Sequence, residues 1–278
     1  MRPERLSAIR ILTSATLAVA LALSVAGCET TTGDITGSIG SLGTPQAPHT
    51  DAQWRQYAKV WGARYHDNPG DAKAAMAYAS ALSATDQRAQ AVAVLRQAAM
   101  RNPRDRPLLG AYGRALAGAG DYKEALDALS RAHTPDNPDW RILNAQGAVL
   151  DQMGRHQEAQ RYYASALKMM PNEPSILSNL GLSYALQKRL RLAEKTLRKA
   201  AAQPNARPKV RQNLALIVGL EGRFAEADQI ARADLPADQA EANVAYLRQM
   251  LARQKQLSKR ERYHRGGNSR HVSHRGNS

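Results

Sequence analysis

Nucleophilic, acid–base or metal chemistry in this sequence would have to come from very few groups. The 278 residues include one cysteine, Cys28, and seven histidines. The thiol lies in the stretch SVAGCE, at the end of a run of small apolar residues, and no second cysteine exists to pair with it. His133 sits in the linker sequence AHTPDN and His156 in the turn sequence GRHQEA; each reads as a surface histidine without a partner. His264, His271 and His274 in YHRGGNSRHVSHR have no fixed geometry, and three flexible imidazoles do not make a selective metal site. Each glycine serves a repeat position or a linker, which leaves no loop to cradle phosphate. The expectation is a protein that is not an enzyme and takes no metal or cofactor.

The elements around the thiol explain it better than catalysis does. MRPERLSAIR carries Arg2, Arg5 and Arg10, and residues 11–27 contain no charged side chain. This is the layout of an export signal. Length leaves a short membrane anchor open, since spanning takes about 20 residues. Val25-Ala26-Gly27-Cys28 resembles the lipobox of bacterial lipoproteins: an aliphatic residue, two small residues, then cysteine. The resemblance implies removal of residues 1–27 and lipidation of Cys28, so that lipid holds the chain to a membrane. Glu29 follows in place of the aspartate associated with inner-membrane retention, which implies the outer membrane and its periplasmic face.

Charge is unevenly spread. The formal net charge is +15, of which residues 248–278 carry +8 and the body between Arg10 and Arg248 only +5. The end segment 258–278 has little apolar content and reads as a disordered basic tail. An exported chain does not meet genomes, so nucleic acid is excluded as a partner. An anionic envelope ligand remains open for the tail, beside the simpler role of a charged, solubilising end.

Residues 28–50, rich in Thr, Gly, Ser and Pro, read as a flexible tether. From Asp51 onward the sequence repeats. Ala79, Gly113, Gly147, Gly181 and Ala215 follow one another at a single constant step, and Ala91, Ala125, Ala159, Ala193 and Ala227 keep the same step. So do Ala98, Ala132, Ala166 and Ala200, until Asp234 breaks the series. Pro69, Pro103 and Pro171 fall in phase, with Pro138 and Pro204 one place off.

The period and residue types resemble the tetratricopeptide repeat, a helix-turn-helix of about 34 residues. Trp140–Glu173 fits it best, at Leu143, Gly147, Ala159, Tyr163, Ala166 and Pro171. Small residues at Gly147 and Ala159 let the two helices of a unit cross closely, and Pro171 ends the second helix because it lacks an amide hydrogen. Asp121, with Glu124 one turn on, reads as an N-cap with an acidic capping box. The expected fold is all-α, a tetratricopeptide-repeat superhelical solenoid over 51–257. Its units are 72–105, 106–139, 140–173, 174–207 and 208–241. DAQWRQYAKVWGARYHDNP before them fits the second half of a unit, with Tyr57, Trp61 and Pro69 in phase. The helix after them has polar Gln249 at the small position, as a solvent-facing cap requires.

In the tetratricopeptide family the first helix of each unit lines a groove that takes a protein segment. That resemblance implies groove-facing positions at Lys73, Arg114, Arg141, Asn144, Asp151, Asn179, Lys209, Gln212 and Asn213. Asn179 and Asn213 hold equivalent places, and a side-chain amide offers donor and acceptor to an extended backbone. Arg141 and Lys209 suit acidic groups. Lipobox, tether, about five repeats and basic tail together look like the TadD family, lipoproteins of the Flp (tight adherence) pilus assembly system. That resemblance implies a scaffold at the outer membrane assisting pilus assembly, with the pilus secretin or another assembly component in the groove. Two alternatives stay open: an envelope scaffold for outer-membrane protein insertion or cell-wall synthesis, and a subunit that positions a hydrolase.

Overall fold

The computed structural model describes residues 50–272; Cys28, the segment 1–27 and the tether up to residue 49 lie outside the described residues. Twelve α-helices follow one another, with no strand among the described residues: α1 (Asp51–Asp67), α2 (Ala72–Ala84), α3 (Arg88–Arg101), α4 (Arg106–Ala119), α5 (Tyr122–Arg131), α6 (Trp140–Gln152), α7 (His156–Met169), α8 (Pro174–Leu186), α9 (Leu190–Ala201), α10 (Pro208–Leu220), α11 (Phe224–Ala231) and α12 (Ala237–Val272). Each repeat window holds one helix pair, from α2–α3 to α10–α11. The fold is an all-α tetratricopeptide-repeat superhelix.

Local chemistry repeats with the same period. Asp71, Asp105, Asp139 and Glu173 precede α2, α4, α6 and α8, and each side chain accepts a backbone N–H of the first turn. Such a cap satisfies a donor the helix cannot, and the negative charge suits the helix N-terminus. The fifth place holds Arg207, which makes no such bond, and Pro208 starts α10 instead. Between the two helices of each unit the chain turns through a left-handed residue. Three of these are glycines, Gly120, Gly154 and Gly222, and two are Asp86 and Lys188, all with positive φ. Asp121 stands at the N-cap of α5, but its side chain makes no capping bond. The expected capping box is absent there because Asp121 follows the left-handed Gly120 and takes φ −82, ψ 63, outside the extended backbone that aims a cap at the first turn.

Packing explains the small residues. A Cβ added at Gly113, Gly147 or Gly181 would lie 2.6, 2.5 or 2.7 Å from Leu129, Tyr163 or Leu197 on the second helix of the same unit. Ala125, Ala159 and Ala193 are fully buried opposite them. The break at Asp234 has a partner. Arg211, at a place where the other units put apolar residues such as Leu143 and Leu177, reaches Asp234 with Nε 2.7 Å from Oδ2 and Nη2 on Oδ1. The buried small residue has been exchanged for an ion pair.

Each helix packs on its sequence neighbours, and α2, α4, α6, α8, α10 and α12 also pack successively on one another. Among the described residues the second helices make no corresponding contact with each other. The first helices therefore form the tighter, inner layer.

The last helix departs from expectation. Where the sequence reads as a disordered tail from residue 258, α12 continues to Val272; residues 273–278 lie outside the described residues. Pro236 is the last proline in the sequence, and from Arg248 to Arg262 the residues are mostly Arg, Lys, Gln, Leu and Ala, all good helix formers. No proline or glycine interrupts the helix before Gly266 and Gly267, which lie within it. No described helix is long and apolar enough to cross a membrane.

Candidate peptide-binding face

The inner layer joins its units through side chains. Asn179 on α8 donates from Nδ2 to Oδ1 of Asn144 on α6 at 3.0 Å, and Asn213 on α10 donates to the Ser178 hydroxyl on α8 at 3.0 Å. Both pairs link the fifth place of one unit to the sixth of the next. Their surroundings differ. Asn144 and Asn179 are half-buried, and after their mutual bond they keep the Asn144 amino group and the Asn179 carbonyl oxygen. Those are one donor and one acceptor set, as an extended backbone requires. Asn213 is 7% exposed. Contrary to its expected place on the open groove face, it forms an inter-unit bond inside the protein, closed over because α8 and α10 approach each other there.

Arg141 stands one turn before Asn144 on α6, and Arg114 on α4 is close enough to Arg141 for their charges to interact. Gly110, one turn before Arg114, leaves room beside the Arg114 guanidinium, whose Nη1 would be 3.4 Å from a Cβ there. Desolvation of the head group pulls the Arg114 pKa down, Asp139 pulls it back, and the like charge of Arg141 lowers it again. The residue as a whole is exposed, so its charge is retained. Arg141 is exposed and stacks over Trp140 at 4.5 Å. Among the described residues neither arginine forms an ion pair, whereas Arg155, Arg198, Arg211, Arg223 and Arg232 all do. The like charges raise the local potential and favour an anionic group between them. Lys73 and Lys209 are exposed at the starts of α2 and α10. Gln212 is half-buried.

Asp151 is not on the face. It is 8% exposed and accepts from Tyr163 at 2.9 Å, Ser183 at 2.8 Å and His156 Nδ1 at 2.8 Å. This carboxylate ties α6, α7 and α8 together. Burial raises the Tyr163 pKa, and the charge of Asp151 raises it further, so the phenol remains a donor. Serine, histidine and aspartate meet here without forming a nucleophile relay, because Ser183 donates to the carboxylate and not to the imidazole. His156, which reads from sequence as a surface histidine without a partner, is thus part of a buried network. His133 likewise has a partner, with Nε2 3.2 Å from Gln146 Oε1 on α6. No group of three or more metal-ligating side chains occurs among the described residues.

The comparisons with known proteins agree with this architecture. The tetratricopeptide-repeat profile matches residues 141–173, one unit. No curated protein matches the chain in sequence. The Cut9–Hcn1 hetero-tetramer of the APC/C superposes with a TM-score of 0.59 at 13% identity, over 72% of this chain and 40% of that one, so this chain spans well under half of it. PilW, described as a widely conserved type IV pilus biogenesis factor, gives 0.56 at 19% identity, over 72% of this chain and 91% of that one. The human IFIT1 dimer with m7Gppp-AAAA gives 0.54 at 15% identity, over 64% and 45%. At these identities the likeness is one of fold: this chain is built as a tetratricopeptide-repeat solenoid.

Proposed function

We propose that the chain is a lipid-anchored scaffold on the periplasmic side of the outer membrane, assisting assembly of a Flp (tight adherence) pilus. It holds an extended, acid-bearing protein segment against its inner face. The observation that carries the capture step is the Asn144–Asn179 rung, which keeps unspent donors and an acceptor on the inner layer that also carries Arg114 and Arg141, neither of them in an ion pair. An extended segment is bound by pairing its backbone with that rung, while its acidic side chains meet Arg114 and Arg141. Three things support the wider reading: the lipobox-like Val25–Cys28, the polar tether that follows, and a likeness in fold to PilW over most of both chains. The pilus secretin is the proposed occupant.

Three measurements test this. Mass spectrometry of the mature N-terminus is expected to find acylated Cys28, and an unmodified thiol or an intact Met1 removes the anchor. A strain lacking the gene is expected to lose surface pili; normal piliation removes the pilus role. Affinity purification of the anchored protein from envelopes is expected to recover the secretin, and recovery of the outer-membrane insertion machinery in its place assigns the scaffold elsewhere.

A further inference from the structure

The first helix presents a face that differs from its counterpart in every complete unit. By phase α1 is a second helix, and at the place of Tyr57 the other units hold Ala91, Ala125, Ala159, Ala193 and Ala227, none more than 1% exposed. At the place of Trp61 they hold Leu95, Leu129, Tyr163, Leu197 and Ala231, all buried, whereas Trp61 is only half-buried. Val60 is 43% exposed, and its counterpart Val94 is 6%. No described residue covers α1 as α2 covers α3. Trp54, Tyr57 and Trp61 form a ladder of rings with centroids 5.9 Å apart at each step, and Arg64 lies over Trp61 at 4.7 Å.

The bulk of Tyr57 selects among occupants. Helices of one unit approach closely because alanine stands at this place, and a phenol ring there holds a facing helix beyond the usual spacing of about 8–10 Å. The face is therefore poorly shaped for a partner's helix or for a helix of a second copy. A lipid interface has no fixed relief, and tryptophan and tyrosine rings settle at headgroup level. Arg64 is exposed on this face of the helix, and the acids of α1 stand only at its two ends, Asp51 and Asp67. Its charge suits anionic headgroups. Only residues 29–50 separate Cys28 from α1, and a chain of that length reaches no further than about 75 Å even at full extension. An anchor at Cys28 thus keeps α1 at high effective concentration near the bilayer surface.

We propose that Trp54, Tyr57, Val60 and Trp61 of α1, with Arg64 among them, form a membrane-docking surface that rests on anionic lipid headgroups. The surface orients the array, so that the end bearing α1 faces the bilayer and the inner face stays open to a partner. The inference builds on the lipid anchor proposed above, and its test is made without that lipid.

Residues 28–278 carrying Cys28→Ser are mixed with vesicles of phosphatidylglycerol and phosphatidylethanolamine. Binding is expected, with a blue shift of tryptophan emission. Trp54→Ser combined with Val60→Glu is expected to lower vesicle affinity by about tenfold or more, at unchanged helicity and melting temperature. Arg64→Glu is expected to abolish the preference for anionic over phosphatidylcholine vesicles. The proposal is overturned by absence of vesicle binding, or by equal affinity of the Trp54→Ser/Val60→Glu variant. It is also overturned if that variant loses self-association in place of lipid binding, or if deleting residues 258–278 removes all binding. Because the assayed protein has no acyl chain, a failure here is distinct from a failure of Cys28 lipidation, which mass spectrometry reads on its own.

Discussion

Single side chains divide here into those that bind and those that build, and the two asparagine pairs show the division. Asn144→Ala with Asn179→Ala removes the half-buried rung and is expected to weaken partner binding about tenfold, since each lost hydrogen bond contributes about 0.5–1.5 kcal/mol. Melting temperature should hardly move, and isothermal titration beside a thermal melt checks both. Asn213→Ala is expected to do the reverse, lowering the melting temperature with little effect on binding, because its partner Ser178 is buried with it. Gly147→Ala tests the crossing. A single methyl group would lie 2.5 Å from the ring of Tyr163, which cannot withdraw while its hydroxyl is held by Asp151. A loss of about 1–3 kcal/mol is expected in denaturant unfolding. The small crossing residues are legible in the sequence because they recur once per unit at a constant step. Asn213 is misplaced by that reasoning, and Asp151 with it, because the repeat assigns a helix face but not how closely two units approach. A signal is available for Asp151: Tyr163 puts a hydroxyl where the other units put Leu or Ala, and a buried phenol needs a partner.

At the scale of helices and turns, stability comes from devices repeated once per unit, and their exceptions are informative. The left-handed turn residue is glycine three times and a bulkier residue at Asp86 and Lys188. Lys188→Gly is expected to stabilise by up to about 1 kcal/mol, because a left-handed L-residue costs about 1–2 kcal/mol; a raised melting temperature is the readout. The Arg211–Asp234 pair stands where other units carry an apolar residue and alanine. Arg211→Leu alone leaves a nearly buried carboxylate unpaired and is expected to cost about 3–5 kcal/mol, whereas Arg211→Leu with Asp234→Ala is expected to be close to neutral. A double-mutant cycle in urea measures the difference. The sequence shows two breaks, Asp234 in the alanine series and Arg211 in the series of Leu109, Leu143 and Leu177, but not that they meet, since they lie at different repeat positions. The acid caps at Asp71, Asp105, Asp139 and Glu173 share the period of the alanines, and the one cap singled out from sequence, Asp121, is one that forms no side-chain bond. Capping depends on the backbone before the helix, and the turn before α5 holds Asp121 away from the extended conformation.

For the whole molecule, an inner layer of first helices carries the rung and the arginine pair, while the outer helices close the core behind it. Repetition explains why the architecture is legible from composition and spacing. The reach of α12 is not, because a basic segment of low apolar content containing Gly266 and Gly267 reads as a tail, yet the helix runs through both glycines. The central claim is that this inner face holds an extended protein segment. Site-specific photo-crosslinking in intact cells tests it most directly, with p-benzoylphenylalanine placed at Ala148 on the inner helix α6 or, as a control, at Met100, 71% exposed at the end of α3. The expected result is one discrete adduct from Ala148, identified by mass spectrometry as a pilus assembly protein, absent from Met100 and lost with Asn144→Ala/Asn179→Ala. An adduct from Met100 alone, or one from Ala148 that survives loss of the rung, would contradict it.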